Sequence, residues 1–276
     1  MRYSRLSIIF GAVLIFSCKK HNDVPPITRL TGERYIGPKN ANVDYSYEVD
    51  DAGRMTRYLM ADTSGKILVR TNATDSVLNY LDLNVGTMFT DRYTGSVYGE
   101  KPSLKRRFTG TSAVADDTAQ YSYDAGGRIT SIVNKYNVAD ISYDGKGNVA
   151  RIYQIAKNGN YPILLADIQP VHYDNHPSPY SLAGKGLFFV SGMEGNLADI
   201  RFLLMLGRNN PTEVHINSYD LSFSRKITYQ AIIAYDYNEK GYPTDMTVTA
   251  SDSLSLSNSY TNLRLLFKDH FEYRDY

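Results

Sequence analysis

Four segments of this chain repeat one pattern of strand, turn and strand, and that pattern limits the fold more than any other feature. They are Tyr45-Ser-Tyr-Glu-Val-Asp-Asp-Ala-Gly-Arg-Met-Thr, Tyr121-Ser-Tyr-Asp-Ala-Gly-Gly-Arg-Ile-Thr, Ile141-Ser-Tyr-Asp-Gly-Lys-Gly-Asn-Val-Ala and Ala234-Tyr-Asp-Tyr-Asn-Glu-Lys-Gly-Tyr-Pro-Thr. Each closes a strand on an aromatic residue, turns through Asp or Asn and then Gly, and opens a second strand. Asp and Asn side chains bond the backbone two residues on, and Gly adopts positive φ without steric cost. This is the chemistry of a hairpin with a three-to-five-residue loop. The copies fall at irregular spacing, so a meander of unequal hairpins is expected and a strict solenoid is not.

The segments between the turns alternate with period two. Val43, Tyr45, Tyr47 and Val49 share one face, with Asp44, Ser46 and Glu48 on the other. Ile227, Tyr229, Ala231, Ile233 and Tyr235 do the same, and Val149, Arg151, Tyr153 and Ile155 are expected together on one side. Such alternation marks strands with one face on a core. Composition agrees: 24 Tyr and no Trp, among many Ser and Thr, favour strands over helices. The predicted fold is all-β, a meandering antiparallel sheet that twists and curls into an open or closed barrel-like domain over residues 41–276. Ser178 to Leu206 stands apart. Its Gly-rich start and the spacing of Leu197, Ile200, Leu203 and Leu204 predict a loop with a short helix packed across the sheet.

The lone cysteine, Cys18, ends what reads as a signal peptide over residues 1–17. Arg2 and Arg5 precede an apolar run from Leu6 to Phe16, about half the ~20 residues a membrane-spanning helix needs. Leu14-Ile15-Phe16-Ser17-Cys18 resembles a bacterial lipobox, in which the thiol takes a diacylglycerol and the new amino terminus is acylated. Cys18 is thus the expected lipidation site and the membrane the expected partner. Residues 18–40, with Pro25-Pro26, are predicted to be the lipidated N-terminus and a tether. A net charge of +1 gives no basic face for nucleic acid.

The element Tyr123-Asp-Ala-Gly-Gly-Arg-Ile-Thr130 resembles the YD-type repeats of bacterial surface proteins. Three further stretches, Tyr173-Asp-Asn-His-Pro-Ser-Pro-Tyr180, Asn209-Asn-Pro-Thr-Glu-Val214 and Tyr237-Asn-Glu-Lys-Gly-Tyr-Pro-Thr-Asp-Met246, occur in the same order in a family of Bacteroidota lipoproteins with a domain of unknown function. The resemblance spans residues 40–250 and implies a porin-like all-β fold and an outer-membrane address. It brings no activity and no catalytic residues.

Candidate chemistry is sparse. His172 and His176 lie four apart, but Pro177 and Pro179 mark a turn, so no metal site is assigned. His21, His215 and His270 have no evident partners in sequence. No nucleophile elbow, Walker loop or HExxH occurs, and Asp50-Asp51 and Asp116-Asp117 fall in turns or on opposite faces. No catalytic residue and no cofactor is assigned. Asp75-Ser76-Val77, Asp117-Thr118-Ala119 and Asp252-Ser253-Leu254 resemble O-glycosylation sequons, making Ser76, Thr118 and Ser253 candidate modification sites.

The expected function is a non-catalytic, lipid-anchored outer-membrane lipoprotein, facing the periplasm or the cell surface, that binds or scaffolds glycan or protein. Two alternatives stand beside it. One is a glycan hydrolase of the envelope or extracellular space. The other is an outer-membrane β-barrel, against which Lys226, Thr228 and Gln230 alternate with tyrosines where a lipid-facing apolar band would be needed.

Overall fold

The chain forms one closed antiparallel barrel of sixteen strands joined in sequence order. The structure is a computed structural model. It describes residues 27–37, 42–83, 86–99, 101–158, 161–183, 186–190, 200–220, 225–252 and 263–275. The first ten strands are β1 (Thr28–Ile36), β2 (Asn42–Val49), β3 (Met55–Asp62), β4 (Ile67–Ala73), β5 (Val77–Asp82), β6 (Thr87–Thr94), β7 (Leu104–Thr109), β8 (Asp117–Tyr123), β9 (Ile129–Asn134) and β10 (Asn137–Tyr143). Longer strands complete the circuit: β11 (Val149–Asn158), β12 (Tyr161–Pro177), β13 (Asn209–Asp220), β14 (Arg225–Tyr237), β15 (Pro243–Asp252) and β16 (Leu263–Asp275). The seam is β1 on β16, from Thr28↔Asp275 to Ile36↔Lys268.

That seam corrects one boundary. Thr28–Ile36 is expected from sequence to lie within the tether, yet it is a strand hydrogen-bonded on both sides, to β16 and β2. Its inward residues explain why: Leu30 is fully buried and Glu33 nearly so, which a solvated tether would not tolerate.

Chain entry and exit, Thr28 and Asp275, share one end of the barrel, here the terminal end. All four repeated turns sit there, between β2 and β3, β8 and β9, β10 and β11, and β14 and β15. In each, the turn residue's amide donates to the carbonyl four residues on (Asp50 to Arg54 at 2.9 Å, Asp124 to Arg128 at 3.0 Å, Asp144 to Asn148 at 2.8 Å, Asn238 to Tyr242 at 3.0 Å). The glycine three residues after it takes φ of 74° to 91° (Gly53, Gly127, Gly147, Gly241), which only glycine adopts without strain. A fifth copy, Asp62-Thr-Ser-Gly65-Lys66, makes the same two backbone bonds at the opposite, distal end.

Each repeat also carries a β-bulge just past the turn. Val49 pairs with Met55 but Glu48 with Arg57, and the same skip passes Thr130, Ala150 and Thr244. A bulge reverses which face the following residues occupy. It overturns one expected face: Val149 and Ile152 are buried inward, whereas Arg151 and Tyr153 lie outside, with the Arg151 guanidinium 4.9 Å from the Tyr153 ring.

The expected helical segment is present, but inside the barrel and not across a sheet face. A 3-10 turn (Pro179–Leu182), α1 (Leu187–Val190) and α2 (Ile200–Leu206) enter between β12 and β13. Phe202, Leu203 and Leu204 are at most 1% exposed. Phe189 meets Tyr93 of β6 and Tyr121 of β8 edge-on, while Tyr180 meets Phe271 of β16. Contacts on such widely separated strands place these elements in the lumen, filling its terminal half.

Candidate functional site: the barrel lumen

The inward face divides the lumen into two halves. Near the terminal end Tyr47, Tyr58, Leu78, Tyr93, Tyr121 and Ile141 are buried against the inserted helices. Toward the distal end, residues of the same inward face are only half-buried: Tyr35, Tyr45, Met60, Tyr80, Phe89 and Arg107. Exposure on an inward face means the lumen admits solvent from the distal end. Among the described residues, the lumen is thus filled by the helical insertion in its terminal half and lined by partly buried aromatic side chains toward the distal end.

Charged side chains sit at the junction of the two halves. Glu33, 3% exposed, accepts hydrogen bonds on Oε2 from the Tyr47 and Tyr180 hydroxyls, both at 2.7 Å. A guanidinium nitrogen of Arg201, from α2, lies 3.6 Å from Glu33 Oε1 and donates to the Tyr45 hydroxyl at 3.0 Å. The same guanidinium packs over the Tyr35 and Tyr45 rings, at 5.1 and 5.3 Å. Burial, reinforced by the Glu33 carboxylate, pushes the Tyr47 and Tyr180 phenols well above their ordinary pKa. They therefore stay protonated and act as donors to Glu33. Asp269 of β16, 1% exposed, pairs in register with Tyr35 beside this cluster. Across the lumen, Arg107 grips Asp91 through two bonds of 2.8 and 2.7 Å and covers the Phe89 ring at 5.6 Å.

At the terminal end the tyrosines do structural work. Six hydroxyls each donate to a backbone carbonyl at or near the start of an outbound strand: Tyr98 to Met55, Tyr123 to Pro102, Tyr143 to Ile129, Tyr173 to Val149, Tyr235 to Pro211 and Tyr273 to Pro243. These clasps explain the tyrosine content, since Tyr fills a core while satisfying a backbone acceptor. The three stretches that carry the family resemblance also meet here. Asp174 accepts from the His176 amide, the Asn210 side chain and the Tyr237 hydroxyl, and His176 stacks on Tyr237 at 4.1 Å. The Asn210 amide also reaches the Pro177 carbonyl, and the Ser178 amide reaches the Arg208 carbonyl. The motif is a knot that ties together the two ends of the inserted segment.

The residues singled out in sequence do not converge. His172 is exposed, 3.6 Å from Glu213, whereas His176 belongs to the knot. His215 pairs with Glu213 and His270 with Asp245 on the outer wall. Among the described residues no group of three or more His, Cys, Asp or Glu could hold a metal ion. Asp50 is the anchor of a turn, bonded to the Ala52 and Arg54 amides, and Asp116 accepts from the Thr109 amide. Ser76 lies in the turn before β5 and Thr118 is exposed on β8. Cys18, His21 and Ser253 lie outside the described residues. Glu33, Arg201, Asp91 and Arg107, which form two charged pairs in the lumen, escape a reading of the sequence. The one signal for them is Arg201 interrupting an otherwise apolar helix.

No family model and no curated protein matches the chain. Among solved structures it is similar to a porin-like protein from Bacteroides uniformis, at TM-score 0.55 and 14% identity, covering 90% of this chain and 96% of that one. A porin-like protein from Bacteroides vulgatus is similar at TM-score 0.48 and 15% identity, covering 90% and 99%. The first likeness supports the fold: a porin-like barrel of hairpins.

Proposed function

We propose that this chain is an outer-membrane-associated porin-like barrel that binds a ligand in its lumen and does not conduct solute through it. The closed barrel and its porin-like neighbour favour the outer-membrane barrel alternative over a lipoprotein whose role is only binding or scaffolding. The observation that carries the binding reading is the helical insertion, which fills the terminal half of the lumen and leaves a one-ended cup. Glu33 and Asp91 are each held by arginine, Glu33 by tyrosine as well, which suits recognition better than proton transfer.

The outer wall favours a seat at the membrane surface. It carries Arg34 with Asp44, Arg57 with Glu48, and Arg151 with Asp167. An arginine facing lipid at mid-depth costs about 2–4 kcal/mol. Strands β5, β7 and β9 have six residues each, short of the roughly 9–11 a tilted strand needs to cross the hydrocarbon. Lipid on Cys18 would supply the attachment, and glycan or envelope protein the ligand.

Planar-bilayer recording of the full chain tests the central point. No steady conductance is expected, and a stable channel would overturn the reading. Thermal-shift screening of glycan fragments and envelope peptides should identify a ligand whose stabilisation is lost in Tyr35→Ala and Phe89→Ala. In cells, Cys18→Ala should release the protein from the membrane fraction.

A further inference from the structure

We infer that the distal rim of the barrel is a membrane-contact surface that seats on a phospholipid bilayer. This inference rests on the rim and not on the lumen-binding reading.

The two ends expose different chemistry. At the terminal end the repeated turns present Asp51, Arg54, Arg128, Lys146, Glu239 and Lys240, and a single large apolar side chain, Ile27 at 55%, is exposed beside the chain entry among the described residues. At the distal end four large apolar side chains face solvent: Leu83 and Met88 at 40% and 45%, Tyr136 at 58% and Val114 at 75%. They come from three successive distal hairpins, β5–β6, β7–β8 and β9–β10, about 10 Å apart at normal strand spacing. One exposed apolar residue on a surface is ordinary, but four on neighbouring tips at one end are not.

The outer wall continues the pattern just below the tips. Leu81 pairs with Met88 across the β5–β6 hairpin, and Val138 lies between Val133 and Ile155, followed by Leu164. All belong to the outward face, opposite in phase to buried Leu78, Ala139 and Ile152.

A bilayer fits this surface better than a protein partner. The apolar tips are separated by polar loop residues, so they form no contiguous patch of the kind an interface core requires. Lys66, Lys135 and Lys157 are exposed at the same end, and the Lys135 ammonium lies 5.1 Å from the Tyr136 ring. Tyrosine and lysine together at an apolar edge suit the headgroup layer, where an aromatic body and a charged tip are both accommodated. Chain length permits this seat together with a lipid anchor. The ten residues from Cys18 to Thr28 span at most about 33–36 Å, against about 26 Å for the eight residues of β2 along the barrel wall.

The chain contains no tryptophan, so one introduced indole reports a single site. Full-length protein, purified as the cell processes it, would carry Val114→Trp at the rim or Ala52→Trp in an exposed terminal turn. Each is mixed with phosphatidylethanolamine–phosphatidylglycerol vesicles bearing brominated acyl chains. Quenching and a blue shift are expected for the tryptophan at 114 and not at 52. Adding Leu83→Asp and Val114→Asp to a Tyr136→Trp reporter should cancel the quenching and blue shift of that tryptophan, with an unchanged circular dichroism spectrum, even where lipid on Cys18 keeps the protein on the vesicle. Quenching at 52 alone, or at neither site, overturns the inference. So does a concentration-dependent dimer that the two aspartates dissociate, which would assign the rim to a second copy of the chain. Absence of bilayer conductance leaves this result untouched, so the two proposals fail separately.

Discussion

The two ends of the barrel use the same strands for opposite purposes. At the terminal end Tyr47, Tyr58, Leu78, Tyr93 and Tyr121 are buried against the inserted segment, partly buried tyrosines clasp backbone carbonyls, and a hydrogen-bonded knot locks the inserted helices in place. At the distal end the same inward face is half-buried, and three of the described hairpin tips expose apolar side chains. The difference lies in the connections. A long β12–β13 insertion fills one half of the lumen, while the described distal hairpins are short and send nothing inward. Open space in this lumen is therefore set by where insertions occur, and not by strand number alone.

The largest expected effect comes from emptying the closed half. Phe202 is fully buried at the centre of the insertion, against Phe188 at 5.3 Å. Phe202→Ala should cost about 3–5 kcal/mol, the usual range for a large aromatic truncated where the site cannot collapse. Urea unfolding followed by circular dichroism would measure it. A cost below about 1 kcal/mol would mean that the insertion does not close the lumen.

A smaller effect is expected at the junction. Tyr180→Phe removes one donor to buried Glu33 without opening a cavity, and should cost about 1.5–3 kcal/mol, the range for a hydrogen bond to a charged group. Tyr80→Phe on the distal wall should cost less, because that side chain is only partly buried. Equal costs at the two positions would erase the distinction between packed and open halves.

Much of the closed end is legible in the sequence because its signals are local. Asp50, Asp124 and Asp144, each with its glycine three residues on, specify a turn within five residues. The faces of Val43–Val49 follow from strict alternation. Closure is not legible, because the β1–β16 seam joins residues about 240 apart and Thr28–Ile36 has little period-two contrast. Nor is the bulge: Thr56, Thr130 and Ala150 look like ordinary strand residues, yet skipping one of them turns Arg151 and Tyr153 outward. The lumen's charges are hidden for the reverse reason. Glu33 and Asp91 read as solvent-facing residues until Tyr47, Tyr180 and Arg107 arrive from elsewhere in the chain.

The repeated turn supplies a third comparison, since it occurs at both ends. Gly147 at the terminal end and Gly65 at the distal end have φ of 91° and 79°. Alanine at either should cost about 1–2 kcal/mol, the penalty of a left-handed backbone for a residue with a Cβ. At Gly65 no neighbouring atom lies within 4 Å of the place an alanine Cβ would take, so steric contact adds nothing there. A much larger loss at Gly65 than at Gly147, read by urea unfolding, would show that the distal hairpin is the less replaceable one.

The smallest effect is on acid stability, and it should be shared by both ends. Backbone amides and Arg54 hold the Asp50 carboxyl below its ordinary range, and Arg128 does the same for Asp124. Asp62, at the distal end, is lowered by Ser64 and by the Lys66 amide. A carboxyl whose folded pKa is depressed contributes stability that is fully present above its unfolded pKa, about 3.9. The contribution disappears as pH falls through the lower folded value. Melting temperature should thus hold from neutral pH down to about 4 and decline below it. Asp124→Asn keeps an acceptor for the turn amides but removes the titrating charge, so it should lower the neutral melting temperature slightly and flatten the decline. An unchanged acid slope in Asp124→Asn, Asp50→Asn and Asp62→Asn alike would mean that these turns do not carry the acid transition.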